Sequence, residues 1–271
     1  MSTHETTEAR ERLARAVEQL ADSETFAAWL RARAAFHDYS FNNVCLIVSQ
    51  RPDSTRIAGY KTWQRLGRQV RKGERGIRIL APCIVKRETD DGTEQRAMFF
   101  RTVSVFDVSQ TEGDALPELE YRPLEGDAPE LADFLCGVAM AAGLEIRREA
   151  LPGEIHGYLK RSERLIVVDS ECSGAMAAKV VAHELGHFYD PWLTEHPDAY
   201  GAHRGDCEAV AESVAYVVAA RYGLDAGPSA VGYVAAWTEG DAQRVRDLAE
   251  RIDAATRAIF GEKKAATDAE E

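Results

Sequence analysis

The sequence has no pair of cysteines at metal-finger spacing. Its five cysteines, Cys45, Cys83, Cys136, Cys172 and Cys207, are scattered and odd in number. That excludes a disulfide framework and a cysteine-rich zinc finger. No apolar run approaches the roughly 20 residues that span a bilayer, so no membrane partner is expected. The opening MSTHETTEARERLARAVEQL is charged throughout and lacks the apolar core of a signal peptide. These absences point to a reducing, cytoplasmic setting. Excess positive charge is missing as well: 33 Lys/Arg stand against 45 Asp/Glu, a formal net charge of −12. The chain as a whole is therefore no polyanion binder, and any nucleic-acid affinity must come from a local patch.

Such a patch exists. Residues 1–113 hold 18 Lys/Arg and 15 Asp/Glu, and the remainder holds 15 and 30. The change of sign suggests two domains with different partners. Within the first half, Arg56, Lys61, Arg65, Arg68, Arg71, Lys72, Arg75 and Arg78 face only Glu74, and they are interleaved with Gly59, Gly67, Gly73 and Gly76. Backbone amides and cations in that pattern could track a phosphodiester chain. Tyr60 and Trp63 could stack on unpaired bases. A solvated turn with its aromatics in the core fits the same spacing.

The periodicity predicts helices over residues 3–22, after Ser23 through ETFAAWLRARAAF, and over the apolar SFNNVCLIVSQ stopped by Pro52. Strand-like runs GIRILAPCIVKR and AMFFRTVSVFDV follow, with a hairpin turn at Asp91-Gly92. The acidic, Pro- and Gly-bearing stretch 112–130 is the linker candidate. Beyond it come a helix near 129–142, strands in HGYLKRSERLIVVDS, and helices over 174–189, 206–222 and 241–260. The fold class is α+β: a small α+β domain with a β-hairpin over 1–113, an acidic linker over 114–127, a mainly helical domain with a small sheet over 128–262, and a disordered tail over 263–271.

VVAHELGHFYDP contains His183-Glu184-Leu185-Gly186-His187, an HExxH pattern. Positions four apart lie on one face of a helix, so His183 and His187 can share one zinc ion. Glu184 can then act as general base in peptide hydrolysis. Leu193 stands where the metzincin continuation needs its third His, so a third ligand must come from elsewhere. DCEAVAESVAYVVAARYG offers Glu208 and Glu212 on one face. Glu208 is assigned as ligand and Glu212 as acceptor of a ligand imidazole N–H, with the reverse left open. His196, His203, Asp190 and Asp198 are weaker candidates. Tyr158, Tyr189, His156 and His203 are unranked candidates to stabilise an oxyanion. HGYLKRSERLIVVDS could offer an edge strand to a peptide, or be a core strand.

YSFNNVCLIVSQ, GYKTWQRLGRQVRKGERGIRILAP and FFRTVSVFDVSQTEG, which lie within residues 36–113, together resemble the N-terminal domain of the ArdC-type antirestriction proteins. HELGH and CEAVAESVA resemble that family's zinc metallopeptidase domain, a zincin-like unit akin to the ImmA/IrrE peptidases. The segment from Tyr233 to Ile259 resembles its C-terminal helices. The resemblance implies single-stranded DNA binding by the first domain, with Tyr39, Asn43, Trp63, Arg71, Lys72, Gly73 and Gln110 near DNA. Adding the charge and aromatic pattern, the DNA-facing set is Tyr39, Asn43, Tyr60, Lys61, Trp63, Arg68, Arg71, Lys72 and Arg75. It also implies Zn2+ held by His183, His187 and Glu208, with Glu184 as base and a protein or peptide as substrate. Two other functions stay open: a non-catalytic protein that shields single strands and uses zinc for its fold, and a cytosolic peptidase that cleaves a transcription regulator without touching DNA.

Overall fold

Capping residues ahead of apolar-periodic runs set where the helices begin. The computed structural model describes residues 3–36, 38–88, 94–116, 122–225 and 241–261. Helix α1 spans Thr3–Glu18, α2 Ser23–Ala35 and α3 Phe41–Gln50. Asp22 caps α2 by accepting Thr25 N–H at 2.9 Å, one residue before the expected start, and Ser40 caps α3. Strand β1 (Ile57–Gly59), short helix α4 (Tyr60–Arg65) and strand β2 (Arg68–Val70) carry the basic segment. The two long predicted strands are β3 (Ile77–Glu88) and β4 (Glu94–Asp107), paired antiparallel. The expected Asp91-Gly92 turn lies outside the described residues.

Sheet order is β1-β4-β3, so β3 has a free edge. Helix α3 closes it. Asn43 Nδ2 donates to Leu80 O and its Oδ1 accepts Leu80 N–H, both at 2.9 Å. Gln50 does the same for Arg78. Residues 43 and 50 lie two turns apart on α3, and 78 and 80 lie on one side of β3, so the two amides meet the strand's unpaired groups in register.

The predicted linker is partly ordered structure. Strand β5 (Thr111–Gly113) pairs with β2, and β6 (Arg122–Pro123) pairs in parallel with β10 (Leu224–Asp225). Helix α5 (Pro129–Ala141) leads to a three-stranded sheet of order β7-β9-β8, from Glu145–Glu149, Leu165–Asp169 and Gly157–Lys160. Central β9, LIVVD, is buried at every residue. Helices α6 (Gly174–Tyr189), α7 (Pro191–Glu195), α8 (Arg204–Arg221) and α9 (Ala242–Phe260) complete the described chain. The predicted tail lies outside it.

One hydrophobic core runs from α1–α3 and β3–β4 through α5, β9, α6, α8 and α9. Helix α2 packs on α8 as well as on α3. A buried ion pair, Arg33 Nε to Asp253 Oδ1 at 2.7 Å, joins α2 to α9. The hydrophobic core thus joins elements on both sides of the expected linker. The fold is α+β, as the sequence indicates.

Candidate functional site

Helix α6 starts at Ser173, whose hydroxyl accepts Met176 N–H, and stops where Asp190 turns the chain into Pro191. Lys179, His183 and His187 therefore share one face. That face meets α8, and the contact is close because position 186 is glycine. A Cβ there would lie 2.9 Å from Ala211 Cα and 3.2 Å from Val214 Cβ. The Gly in HELGH thus sets the spacing that brings Glu208 and Glu212 of α8 beneath the imidazoles.

The ligand atoms of His183, His187 and Glu208 lie within 4.8 Å of one another. His183 Nε2 stands 3.3 Å from Glu208 Oε2, and His187 Nε2 stands 3.6 Å from Glu208 Oε1. On the other side of the first ring, His183 Nδ1 lies 3.4 Å from Glu212 Oε2. Glu212 Oε1 receives Lys179 Nζ at 2.7 Å, so the carboxylate within the apolar AVAESVAYVVAA has the partner its burial demands. Glu208 touches both imidazoles and Glu212 touches one ring from behind. Tyr200 O–H donates to Glu208, a contact the sequence gave no periodic signal for. Lys179 was legible in principle, four residues before His183.

Burial works to raise the Glu208 carboxyl, but hydrogen bonds from His183, His187 and Tyr200 hold it far below the usual range. Burial likewise opposes charge on His183, yet Glu208 and Glu212 pull its pKa up to about 9. Glu184 is pushed up by burial, with His183 and His187 pulling the other way, and it accepts a hydrogen bond from the Leu159 backbone on β8. Three carboxylates thus surround two imidazoles and one Lys. Two imidazole nitrogens and one carboxylate in this arrangement suit a divalent transition metal, whose charge would offset the negative excess. The buried Nδ1 of His187 has no protein partner among the described residues, so its Nε2 is the end turned to Glu208.

Two further links hold α6 in place. Arg161 donates to the carbonyls of His187 and Phe188 at the helix end. Asp190, fully buried, pairs with Arg251 of α9 at 2.5 Å, which removes it from the ligand candidates. His196 and His203 lie against the Trp192 ring, 4.8 Å between centroids in each case, and belong to that exposed cluster. Asp198 is exposed on the loop. Of the oxyanion candidates, Tyr189 packs on Phe188, Tyr158 lies on β8 under Lys160, and His156 joins a different group of side chains.

The basic segment is only partly a surface. Trp63 is 2% exposed and donates Nε1–H to Phe106 O at 2.9 Å, so it offers no face to a base; the expectation of stacking there is corrected. Asn43 is spent on the β3 edge. Tyr39 is half-buried against the core, its hydroxyl on Ile57 O and its carbonyl on Arg257. Arg68 is bound by Thr111 and by the carbonyls of Gly113 and Asp114, and Arg71 by Glu74 and Ser109 O. Gln110 knits Asp107 to Glu74 and Arg75, and Gly73 takes φ +93° in the turn between β2 and β3. Both serve the fold. Tyr60, 42% exposed, and the exposed Lys61, Lys72 and Arg75 stand outward, with no ion pair among the described residues.

Residues 4–106 match the N-terminal domain of anti-restriction factor ArdC. An uncharacterized protein of Bacillus anthracis, pXO2-81, is 25% identical over 76% of this chain and 42% of its own length. The uncharacterized protein y4eC of Sinorhizobium fredii (strain NBRC 101917 / NGR234) is 27% identical over 66% of this chain and 62% of its own. The chain therefore spans about half the length of these curated relatives. Among solved structures, metal-free antirestriction ArdC from plasmid R388 aligns at a TM-score of 0.54 and 20% identity, covering 94% of this chain and 98% of that one. A Mn(II)-bound structure of the same protein aligns at 0.47, with 23% identity over 83% of this chain and 88% of that one, too slight a likeness to place its metal here. Residues 4–106 are thus similar to the N-terminal domain of anti-restriction factor ArdC, and the chain as a whole shares the fold of the R388 protein.

Proposed function

We propose that this chain is a cytoplasmic single-stranded-DNA-binding protein that also carries a zinc-dependent peptidase centre. DNA binding is assigned to residues 1–113 and the metal centre to residues 128–262. The observation that supports the second half most is the convergence of His183, His187 and Glu208 within 4.8 Å, beside buried Glu184. His183, His187 and Glu208 would hold the ion, and Glu212 and Lys179 would fix the His183 ring through Nδ1. A bound divalent ion would supply Lewis acidity and an acidified water. With that ion in place, Glu184 would be positioned to accept the proton of the attacking water on its carboxylate and return it to the departing amine of the peptide. Tyr200 orients Glu208. Strand β8, at the sheet's free edge and linked to Glu184 through Leu159, is where an extended peptide could add.

For DNA, Lys61, Lys72, Arg75 and Tyr60 are the contacts proposed, because they alone of the sequence-predicted set stand outward without an ion pair among the described residues. Tyr39, Asn43, Trp63, Arg68 and Arg71 serve the framework in this reading.

Glu184→Ala separates catalysis from the rest. Metal content and DNA affinity should stay within about twofold, while cleavage of cellular proteins compared by mass spectrometry should fall by about 100-fold or more. Cleavage unchanged by the substitution would rule out this peptidase. Loss of cleavage with full protection of DNA in cells would leave the protein a shield whose antirestriction-type role needs no hydrolysis. Zn(II) and Mn(II), the latter held by the R388 protein, are the ions to compare.

A further inference from the structure

Among the described residues, a second group brings metal-ligating atoms within 4.8 Å: His156, Asp169 and Cys172. It shares no residue with the first. His156 precedes β8, Asp169 ends β9, and Cys172 lies two residues before α6. His183 stands ten residues further along from Ser173, about 15 Å along that helix.

The backbone fixes this cluster. Asp169 N–H donates to His156 O at 2.8 Å, and Cys172 N–H donates to Asp169 O at 3.2 Å. Ser170 N–H donates to Glu149 O at 2.9 Å. Arg148 Nη2 then gathers the turn by donating to the carbonyls of Asp169, Ser170 and Cys172 at 3.3, 3.3 and 2.5 Å. Asp169 is buried, and its Oδ1 accepts from Leu151 N and Glu171 N, which aims the carboxylate and leaves Oδ2 without a partner among the described residues. Cys172 Sγ stands 3.8 Å from His156 Nδ1. Cys172 makes no disulfide, and His156 is exposed, so an ion can reach the group from solvent.

We propose that His156, Asp169 and Cys172 form a second metal site, for a borderline transition ion such as Zn(II) or Co(II), with a fourth position left to water. One nitrogen, one oxygen and one sulfur donor suit such an ion, whereas Mg(II) and Ca(II) want oxygen alone. On binding, the Cys172 thiol gives its proton to solvent and its thiolate to the metal. The ion ties the start of β8 to the start of α6, and so braces the strand whose Leu159 amide meets Glu184.

The donor sets make the test selective, because His183, His187 and Glu208 contain no sulfur. The full chain, stripped by chelation, is titrated with Co(II) and followed by absorbance. A thiolate-to-cobalt charge-transfer band in the near ultraviolet is expected. It should survive His183→Ala and His187→Ala, vanish in Cys172→Ser, and fall at least tenfold in His156→Ala at sub-saturating Co(II). Mg(II) in excess should not suppress it. No such band in the wild-type chain at saturating Co(II), or a band that survives Cys172→Ser, would overturn the proposal. A band intact in a chain whose visible cobalt bands are lost in His183→Ala supports this site and the first one separately.

Discussion

Asp107 is almost fully buried yet carries charge, because four donors converge on it. Thr55 N and Arg56 N reach Oδ2 at 2.9 and 3.1 Å, and Ser109 offers its amide at 2.9 Å and its hydroxyl at 2.5 Å to Oδ1. Burial alone would raise its pKa, but these bonds bring it below the usual carboxylate range. Asp107→Ala takes the acceptor from three part-buried amides and should cost about 1–3 kcal/mol in urea unfolding. The pH sign follows from the depressed value. The carboxylate stabilises the fold above its unfolded pKa near 3.9, and that contribution is lost as pH falls through the folded value. The gap between wild type and Asp107→Ala should therefore narrow as pH falls below about 4 and through the folded value; a constant gap would mean that the side chain acts without its charge. The family-like blocks VRKGERG and VFDVSQTEG are thus mostly carpentry around Asp107 and Gln110. Sequence reading named those blocks correctly but could not tell framework from contact, since Trp63, Asn43 and Lys72 all look available on paper. Only burial and hydrogen bonding distinguish them.

Helix α6 shows what was legible at the scale of an element. Its limits, its HExxH face and the pairing with Glu208 and Glu212 all follow from a period of 3.6 residues. How closely α8 approaches does not, because it depends on the missing Cβ of Gly186 meeting Ala211. Gly186→Ala should push the two helices apart, cost about 1–3 kcal/mol and weaken metal affinity at least tenfold, read by unfolding and by metal titration. A variant of normal affinity would show that the site tolerates a wider gap. Arg251 of α9 supports the same element from outside. Arg251→Ala would strand buried Asp190 and should cost about 3–5 kcal/mol, while Asp190→Asn with Arg251→Met should cost clearly less. Equal costs would argue that packing, not the unpaired charge, is at stake. Tyr200 was invisible to pattern reading because it reaches Glu208 from an irregular loop.

Over the whole molecule, charge and core are distributed differently: the sign of the charge changes along the chain, while one hydrophobic core joins helices from both halves. Charge is a property of surfaces and can be summed along the chain; a core forms wherever apolar faces meet, and α2 meets α8 and α9 across the linker. Among the described residues, no helix is long and apolar enough to cross a membrane. The outward cations make a salt prediction. If Lys61, Lys72 and Arg75 each meet a phosphate, their replacement by Ala should flatten the plot of log K against log salt by about 2 for a single strand. An unchanged slope would move the DNA elsewhere on the protein. The central claim, that His183, His187 and Glu208 hold one divalent ion, is tested most directly in the Cys172→Ser chain, where the second group is disabled. Zinc content measured after dialysis should be about one equivalent there and in Glu184→Ala/Cys172→Ser, and should drop below about a tenth when Glu208→Ala is added. Zinc retained without Glu208, or absent while Glu208 is intact, would contradict it.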